Sequence, residues 1–230
     1  MGKARSEWKY ICNDKQIGLL DNKLSSILEK DIHSDEKNMY VVHSLYFDDF
    51  KDSCIHALEN GDARKFKWRI RYYNDDVNTL KLEYKVKKYG RGVKTSVPLT
   101  ISEYEAIMNN DIHELIWNTS KDLLKKFCVD IMMNYFKPKV IIDYERVAYT
   151  ESNLNIRITF DKNISSSYEV FKFLNRSYIK YPLQNKNMNI VEVKFDDILP
   201  GYIRNIITNE CGVQTSYSKY YNGRKVVDLV

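Results

Sequence analysis

Three stretches of the sequence carry a charged side chain at every second residue, with charges of both signs. They are Lys65–Arg71, Lys81–Lys87 and Ile190–Phe195. Successive strand side chains point to opposite faces of a sheet, so each stretch predicts a β-strand with one apolar and one charged face. An ordinary half-buried sheet would turn the charged face to water. Alternatively, the sheet closes and the charges line an interior suited to polyanions and metal ions.

The first stretch places four cations on one face. These are Lys65, Lys67, Arg69 and Arg71. Adjacent cations repel each other unless an anion or carboxylates lie between them. The planar guanidinium of Arg matches phosphate oxygens in pairs, and Lys adds a mobile point charge on the same ligand. The row therefore favours a ligand with several phosphates.

Three carboxylates accompany the cations. Glu83 lies among the lysines of the second stretch, Glu192 precedes Lys194 by two residues, and Glu7 falls on the same alternate face as Lys9. Carboxylates oppose phosphate binding unless they hold a divalent cation that bridges the phosphates. The combination indicates a metal ion plus an oligophosphate, although Glu7 is equally interpreted as a counterion for a neighbouring lysine.

Composition sets the broad class. The chain has 230 residues, with 36 basic against 31 acidic side chains and a net charge of +5, so overall charge requires no nucleic-acid partner. Its four cysteines are scattered without a C-x-x-C pair, which fits a reducing compartment, and its four histidines are interpreted as structural or solvated. No signal peptide and no apolar run of about 20 residues is recognised. We therefore expect a cytoplasmic protein with one domain over residues 1–230.

Periodicity predicts an α+β fold, dominated by antiparallel strands with helices packed outside. The charged strands Lys65–Tyr73 and Leu80–Tyr89 form a hairpin. A 3.6-residue apolar stripe predicts a helix over Lys15–Glu29, and Ser102 with Glu105 fits a capping box that starts another helix. Further predicted strands are Glu7–Cys12, Tyr40–Phe47, Val140–Thr150, Asn155–Asp161 and Ile190–Phe195, and further predicted helices are Lys121–Tyr135 and a short one after Pro200.

An ordered series of short motifs covers almost the whole chain. The motifs are Arg5-x-Glu7-x-Lys9-Tyr10, Ser44-Leu45-Tyr46-Phe47-Asp48, Lys67-x-Arg69-x-Arg71-x-Tyr73, Leu82-Glu83-Tyr84-Lys85, Tyr144-x-Arg146, Arg157-Ile158-Thr159-x-Asp161, Val191-Glu192-Val193-Lys194 and Ser218-Lys219-Tyr220. This series resembles the polyphosphate polymerase (VTC) domain of the CYTH-like triphosphate tunnel metalloenzymes.

The resemblance implies a closed antiparallel barrel of about eight strands, forming a tunnel for triphosphate and a Mn²⁺ or Mg²⁺ ion. It implies a phosphotransferase that moves the γ-phosphate of ATP onto a growing inorganic polyphosphate chain. The implied catalytic residues are Lys9, Arg69, Arg71 and Glu192. The implied phosphate-binding residues are Lys67, Lys85, Lys94, Arg146, Arg157, Lys194, Ser218 and Lys219. The implied metal ligands are Glu192, Glu83 and Glu7.

Two departures from the family pattern stand out. The eukaryotic pattern has a basic residue two positions before the serine of the last motif, and here that position is Ser216. The inositol-phosphate sensor and membrane segments of the eukaryotic proteins are also not recognised. The resemblance therefore implies a stand-alone catalytic domain without direct membrane insertion, whose membrane coupling, if any, lies in a partner protein.

Two other functions fit the same residues. In an inorganic triphosphatase or nucleoside triphosphatase of the same superfamily, water would replace polyphosphate as the acceptor. In a non-catalytic polyanion or nucleic-acid module, Phe66, Trp68 and Tyr72 would stack on bases. Alternation counts against nucleic acid, because these aromatics lie on the face opposite the cations. A separate structural alternative pairs Arg157 with Asp161 on one strand face.

Overall fold

Ten β-strands and seven α-helices form over residues 5–31, 39–89 and 91–227, which are the parts of the chain that the computed structural model describes. The strands are β1 (Ser6–Asn13), β2 (Glu29–Lys30), β3 (Tyr40–Asp48), β4 (Arg64–Tyr73), β5 (Asp76–Lys88), β6 (Arg91–Pro98), β7 (Lys137–Glu151), β8 (Ile156–Ser167), β9 (Tyr181–Pro182) and β10 (Met188–Phe195). The helices are α1 (Asp14–Ser25), α2 (Ser53–Glu59), α3 (Ile101–Asn109), α4 (Ile112–Asn118), α5 (Asp122–Asn134), α6 (Gly201–Cys211) and α7 (Lys219–Val227).

All strand pairs are antiparallel, and eight strands follow one another across the sheet in the order β1-β10-β8-β7-β3-β4-β5-β6. The two-residue strands β2 and β9 pair with β7 and β8. The predicted α+β class with a mostly antiparallel sheet is confirmed. None of the described helices has the length and apolar character needed to cross a bilayer.

Hydrogen bonding does not confirm the closed barrel that the resemblance implies. The sheet edges are β1 and β6, and across the described residues only an isolated bridge between Arg5 and Gly92 pairs them. A continuous ladder would need consecutive residue pairs, and a single bridge does not provide them. A side-chain contact also spans this gap, since Lys85 Nζ of β5 lies 2.8 Å from Glu7 Oε2 of β1. The sheet therefore curls until its edges meet without forming a closed ladder.

Helices cover the outer, apolar face of the sheet. Trp68 and Tyr72 of β4 are fully buried there, and Trp68 packs against Phe127 of α5 with ring centroids 4.8 Å apart. On the other half of the sheet, α1 and α6 bury a second apolar cluster against β1, β8 and β10. Because these aromatics are buried in the core, they cannot stack on nucleic-acid bases. The charged faces of the strands are left to point inward.

Two predicted helix boundaries are wrong. Helix α1 begins as expected after Asn13, which forms a capping box with Gln16, but it ends at Ser25, and Glu29–Lys30 pairs with β7. Helix α3 is capped by Thr100, whose side chain accepts the N–H of Glu103 while Glu103 bonds back to Thr100. The expected capping box of Ser102 and Glu105 therefore lies two residues too late. Strands β2, β6 and β9 and helices α2 and α7 were not predicted.

Candidate active site

The inward face of the curled sheet lines a cavity of about 1150 Å³. Its wall consists of side chains from β1, β3, β4, β5, β7 and β10, together with the end of α2, the residues that follow it, and residues 214–222 around the start of α7. Eleven of the fourteen site residues implied by the resemblance line it: Glu7, Lys9, Lys67, Arg69, Arg71, Lys85, Arg146, Glu192, Lys194, Ser218 and Lys219. The other three, Glu83, Lys94 and Arg157, lie outside this lining.

Strands β4 and β5 supply a row of inward cations. In their register Lys67 lies opposite Lys85, and Lys65 lies opposite Lys87. All four side chains line the cavity. Like charges directly opposite in an antiparallel pair repel and destabilise it. This part of the wall therefore favours an anion between the two strands.

Arg71 is a buried cation with neutral partners. It is 5% exposed, its Nε donates to Ser44 Oγ at 2.9 Å, and its Nη2 donates to the hydroxyl of Tyr144 at 2.9 Å. Within the described residues, no carboxylate is ion-paired with it. A buried charge needs a counterion as well as hydrogen bonds. Arg71 is therefore held in a fixed position with its charge available to a ligand.

Lys67 also lacks an ion-paired carboxylate among the described residues. Its Nζ donates to Ser218 Oγ at 2.9 Å, and no carboxylate of the described chain is ion-paired with it. Burial lowers the pKa of Lys67 well below its usual value, and the charges of Lys9 and Lys85 lower it further. An anion entering the cavity would reverse this effect, so Lys67 and Arg71 mark the part of the wall whose cations have no ion-paired carboxylate among the described residues.

Arg69 differs because it already has a counterion. Its Nη2 lies 2.5 Å from Oε2 of Glu83, and Lys94 Nζ lies 2.6 Å from the other oxygen. Glu83 is 1% exposed; burial would raise the pKa of its carboxyl, but Arg69, Arg71 and Lys94 hold it well below its usual value. Both oxygens of Glu83 are thus engaged by cations. The structure places this carboxylate behind Arg69 as a support, away from the other two predicted metal ligands.

Glu7 and Glu192 come together across strands β1 and β10. Their carboxyl groups lie close enough for each to shift the pKa of the other. Lys9 Nζ is 3.0 Å from Glu7 and 3.6 Å from Glu192, while Lys194 Nζ is 2.9 Å from Glu192. Burial alone would raise the pKa of Glu192, but Lys194 and Lys9 hold it well below its usual value. Burial would lower the pKa of Lys9, yet Glu192 and Glu7 outweigh it and raise that pKa.

The convergence of Glu7 and Glu192 fits a divalent cation of the Mg²⁺ type. Such an ion is commonly bound by one or two carboxylates and completes its shell with water and substrate phosphates. Glu83 does not join the pair, and the described residues contain no group of three His, Cys, Asp or Glu side chains placed to hold a metal. A metal ion at this pair would therefore depend on the substrate for its remaining ligands.

Asp161 is a site residue that sequence reasoning did not assign. It is fully buried on β8 and forms a two-point ion pair with Arg146, whose Nε and Nη2 lie 2.6 and 2.8 Å from its oxygens. Lys219 Nζ lies 2.6 Å from the same carboxylate. Arg146 and Lys219 also lie over the ring of Tyr144, at 5.0 and 4.8 Å from its centroid. Asp161 thus fixes two of the predicted phosphate-binding cations.

The Asp161 carboxylate should make stability depend on pH. Burial would raise the pKa of Asp161, but Arg146 and Lys219 lower it from 3.8 to about 2. Because the pKa is lower in the folded state, the ionised carboxylate stabilises the fold by about 2 kcal/mol. This stabilisation is complete above the unfolded-state pKa of 3.8 and is lost as pH falls towards 2. The free-energy difference between wild type and Asp161→Asn, from denaturant unfolding, should therefore shrink between pH 5 and pH 3. In the control Asp111→Asn, which changes an exposed residue, the free energy of unfolding should differ from that of the wild type by no more than about 0.5 kcal/mol at any of these pH values. A difference for Asp161→Asn that does not change with pH would contradict this assignment.

Arg157 is placed differently from the other predicted cations. Its Nη2 lies 2.5 Å from Asp31 Oδ2 and donates to the hydroxyl of Tyr40 at 2.8 Å. The alternative pair of Arg157 with Asp161 is wrong, because Asp161 is taken by Arg146 and Lys219 and Arg157 is taken by Asp31. Sequence alternation placed Arg157 and Asp161 on one face but could not show which partners the neighbouring strands supply.

The start of helix α7 closes one side of the cavity. Thr215 donates its N–H to Lys9 O, and Ser218 Oγ accepts the N–H of Tyr221 at 3.2 Å. Gly223 lets the helix approach β7 closely, since an added Cβ would lie 2.3 Å from Ile142 Cδ1. Ser216, which replaces the basic residue of the eukaryotic pattern, also lines the cavity. Strand pairing and one glycine thus bring the last motif to the inner face.

Comparison with known proteins identifies the family to which the chain belongs. In sequence, the VTC domain family model matches residues 4–228, whereas no curated protein matches significantly. In structure, a putative adenylyl cyclase from Hippeastrum, described as having a dominant triphosphatase activity, is similar with a TM-score of 0.58 and 14% identity, covering 98% of this chain and 96% of that one. A putative adenylate cyclase from Bacillus halodurans is similar with a TM-score of 0.56 and 12% identity, covering 95% and 96%. At these low identities, the structural similarity shows a shared fold and no more. The family match, however, spans nearly the whole sequence, and the chain therefore belongs to the VTC domain family.

Proposed function

We propose that this protein is a polyphosphate polymerase that transfers the γ-phosphate of ATP to a growing inorganic polyphosphate chain. The observation that carries the proposal is the charge balance of the cavity. Most of its carboxylates are matched to cations, but among the described residues no carboxylate is ion-paired with Arg71 or Lys67, which face the interior. A chain of phosphates supplies the missing negative charge, and family membership agrees with this substrate class.

The side chains around Arg71 and Lys67 would hold the phosphates without large rearrangement. Arg71 is fixed by Ser44 and Tyr144, and Arg146 is fixed by Asp161. Phosphoryl transfer builds negative charge on the equatorial and leaving oxygens, so cations held in place beforehand stabilise the transition state. We assign this role to the guanidinium groups, and we assign to Lys85 and Lys194 the binding of phosphates farther along the chain.

The carboxylate pair of Glu7 and Glu192 would hold a divalent ion, Mn²⁺ or Mg²⁺. When bound, such an ion bridges phosphate oxygens and offsets their charge. The ion pairs of Lys9 and Lys194 keep the pair ionised in the absence of a ligand. Glu83 retains a supporting role behind Arg69.

The residues around the cavity favour an acceptor that is already ionised. Among the described lining residues there is no histidine, and the two carboxylates on its strands, Glu7 and Glu192, are both engaged by lysines, whereas Glu59 and Asp62 lie at the end of α2 and after it. A polyphosphate end carries its own negative charge and needs no general base, whereas a water molecule must lose a proton. This arrangement supports the polymerase over a hydrolase.

A triphosphatase is the second candidate, favoured by one observation. The Hippeastrum protein that shares this fold is described as having a dominant triphosphatase activity. The same cavity would bind the substrate in either case, because the cations recognise phosphates rather than the acceptor. The products therefore decide between the two functions.

Incubation of the purified protein with ATP and Mn²⁺ tests the proposal directly. We expect ADP together with polyphosphate of increasing length, resolved on a denaturing gel. Orthophosphate without polymer, from either ATP or tripolyphosphate, would establish the triphosphatase instead. Binding of tripolyphosphate without turnover of any of these compounds would leave a polyanion-binding module.

A further inference from the structure

Asp48 and Tyr220 end two of the sequence motifs, and neither is a candidate phosphate or metal ligand. The hydroxyl of Tyr220 donates a hydrogen bond to Asp48 Oδ2, between residues that are 172 positions apart in sequence. Asp48 is fully buried, and Tyr220 is 1% exposed. A buried contact that excludes water thus joins the end of β3 to the first turn of α7.

Asp48 is held in place by the start of helix α2. Its Oδ1 accepts the backbone N–H of Cys54 at 2.9 Å, and its Oδ2 accepts that of Ile55 at 3.2 Å. Arg224 Nη1 lies 3.9 Å from the same Oδ2 and supplies positive charge. A buried carboxylate needs such donors and a nearby cation. Asp48 therefore presents a fixed acceptor to the Tyr220 hydroxyl.

The ring of Tyr220 is fixed at its hydroxyl and faces the cavity. The hydroxyl also accepts a hydrogen bond from Arg224 Nη1 at 3.1 Å, so it is used both as donor and as acceptor. The ring packs against Tyr46, with centroids 5.3 Å apart, and Tyr220 lines the cavity. Lys67 Nζ lies 5.3 Å from the centroid of the Tyr220 ring, a distance at which an ammonium group is attracted to an aromatic face.

Lys67 depends on the start of α7 for its position. Its Nζ donates to Ser218 Oγ at 2.9 Å and lies over the ring of Tyr220. Among the described residues no carboxylate is ion-paired with this lysine. Both of these contacts come from the three-residue segment 218–220. A shift of that segment would therefore move the ammonium group within the cavity.

We propose that Asp48 is a positioning residue for phosphate binding, which acts through Tyr220 on Lys67. Asp48 is not among the residues that line the cavity, so it does not touch the ligand. Without its carboxylate the Tyr220 hydroxyl loses its acceptor, and the ring and the amine above it are free to shift. Ordering the lysine would then reduce the free energy of phosphate binding. The inference rests on the proposed function, because it takes phosphates as the ligand of the cavity.

Asp52 provides a matched control. It is an aspartate on the same loop and holds the same helix, with Oδ1 3.0 Å from Arg224 Nη1 and 2.9 Å from Lys139 Nζ. Among the described residues it is not bonded to Tyr220 or Lys67. Replacing it loosens the attachment of α7 and leaves the contact between Asp48 and Tyr220 in place.

Titration calorimetry with tripolyphosphate tests the inference in a double-mutant cycle. Tyr220→Phe removes only the hydroxyl, and Asp48→Asn keeps the size of the side chain. We expect each to raise Kd by about three- to tenfold, as for the loss of one hydrogen bond, and the double variant to raise it no further. In a Lys67→Met background Tyr220→Phe should change Kd less than about twofold, and Asp52→Asn should change it less than about twofold in the wild-type background.

The outcomes separate positioning from a purely structural role. A lower melting temperature of Tyr220→Phe with an unchanged Kd overturns the inference. Equal weakening with and without Lys67, or equal weakening by Asp52→Asn, also overturns it. If Asp48→Asn does not fold, Tyr220→Phe with and without Lys67 decides alone. If the wild type binds no tripolyphosphate, the proposed function fails and the inference fails with it, whereas wild-type binding with unchanged variants overturns the inference only.

Discussion

Changing Glu192 to Gln is expected to lower the rate of phosphoryl transfer from ATP by about a thousandfold. The two side chains have nearly the same size, so the change removes the charge with little effect on packing. That charge belongs to the carboxylate pair with Glu7, which would hold the divalent ion, and preorganised electrostatic groups of this kind contribute about 10²- to 10³-fold each. The initial rate of polyphosphate formation should be measured as a function of Mn²⁺ concentration.

Glu83→Gln is the matched control for this experiment. Glu83 is as deeply buried as Glu192, but its oxygens are engaged by Arg69 and Lys94. We expect its replacement to lower the melting temperature and weaken triphosphate binding without changing the Mn²⁺ dependence of the rate. Near wild-type activity of Glu192→Gln at limiting Mn²⁺ would show that the ion is held elsewhere.

Removal of the Arg71 side chain should produce the largest loss of substrate affinity. Arg71 is buried, is positioned by Ser44 and Tyr144, and has no ion-paired carboxylate among the described residues. Its charge is therefore free to act on a phosphate. Loss of one charge-assisted hydrogen bond weakens binding by about 1.5–3 kcal/mol, which is roughly 10- to 150-fold in Kd. Titration calorimetry of Arg71→Ala with tripolyphosphate measures this change.

Arg157→Ala provides the comparison, since both residues were assigned to phosphate binding by resemblance. Arg157 lies outside the cavity lining and is ion-paired with Asp31. We expect its loss to change Kd less than threefold, within about 0.5 kcal/mol. If Arg157→Ala weakens binding as much as Arg71→Ala does, the cavity described here is not the whole substrate site.

The inner face of the sheet could be predicted from the sequence because strand alternation is a local rule. Once Lys67, Arg69 and Arg71 lie on one strand at every second position, they must share a face, and their shared inward position follows from the apolar opposite face. The same rule placed Glu192 beside Lys194. Lys67, Arg69, Arg71, Glu192 and Lys194 accordingly line one cavity, which also contains residues that only the family resemblance implied, among them Arg146, Ser218 and Lys219.

Partners across strands could not be predicted, because they depend on register and sheet order. Asp161 was visible as part of a motif, yet its pairing with Arg146 requires the alignment of β7 with β8, where the two residues are opposite each other. Asp31 could not be identified as the partner of Arg157 for the same reason.

Local sequence signals did not locate the start of α3 or the presence of α7. Two capping boxes fit equally well at the first, and a glycine interrupts the helical pattern of the second. Thr100 with Glu103 and Ser102 with Glu105 both fit a capping box, and only the structure shows that the first is used. Helix α7 contains Gly223, which has a low helix propensity, so its sequence does not indicate a helix. Packing against Ile142 overrides that propensity.

The pairing of β1 with β10 has a consequence for how the protein acquires its activity during folding. Glu7 lies opposite Lys194 in this pair, so the two carboxylates of the candidate metal site come from opposite ends of the sequence. Pairs of such large sequence separation carry a high loop-closure entropy and form slowly. During synthesis, Glu7 cannot meet Glu192 until the ribosome has released β10. The chain thus synthesises the other strands of its sheet before the candidate metal site can form.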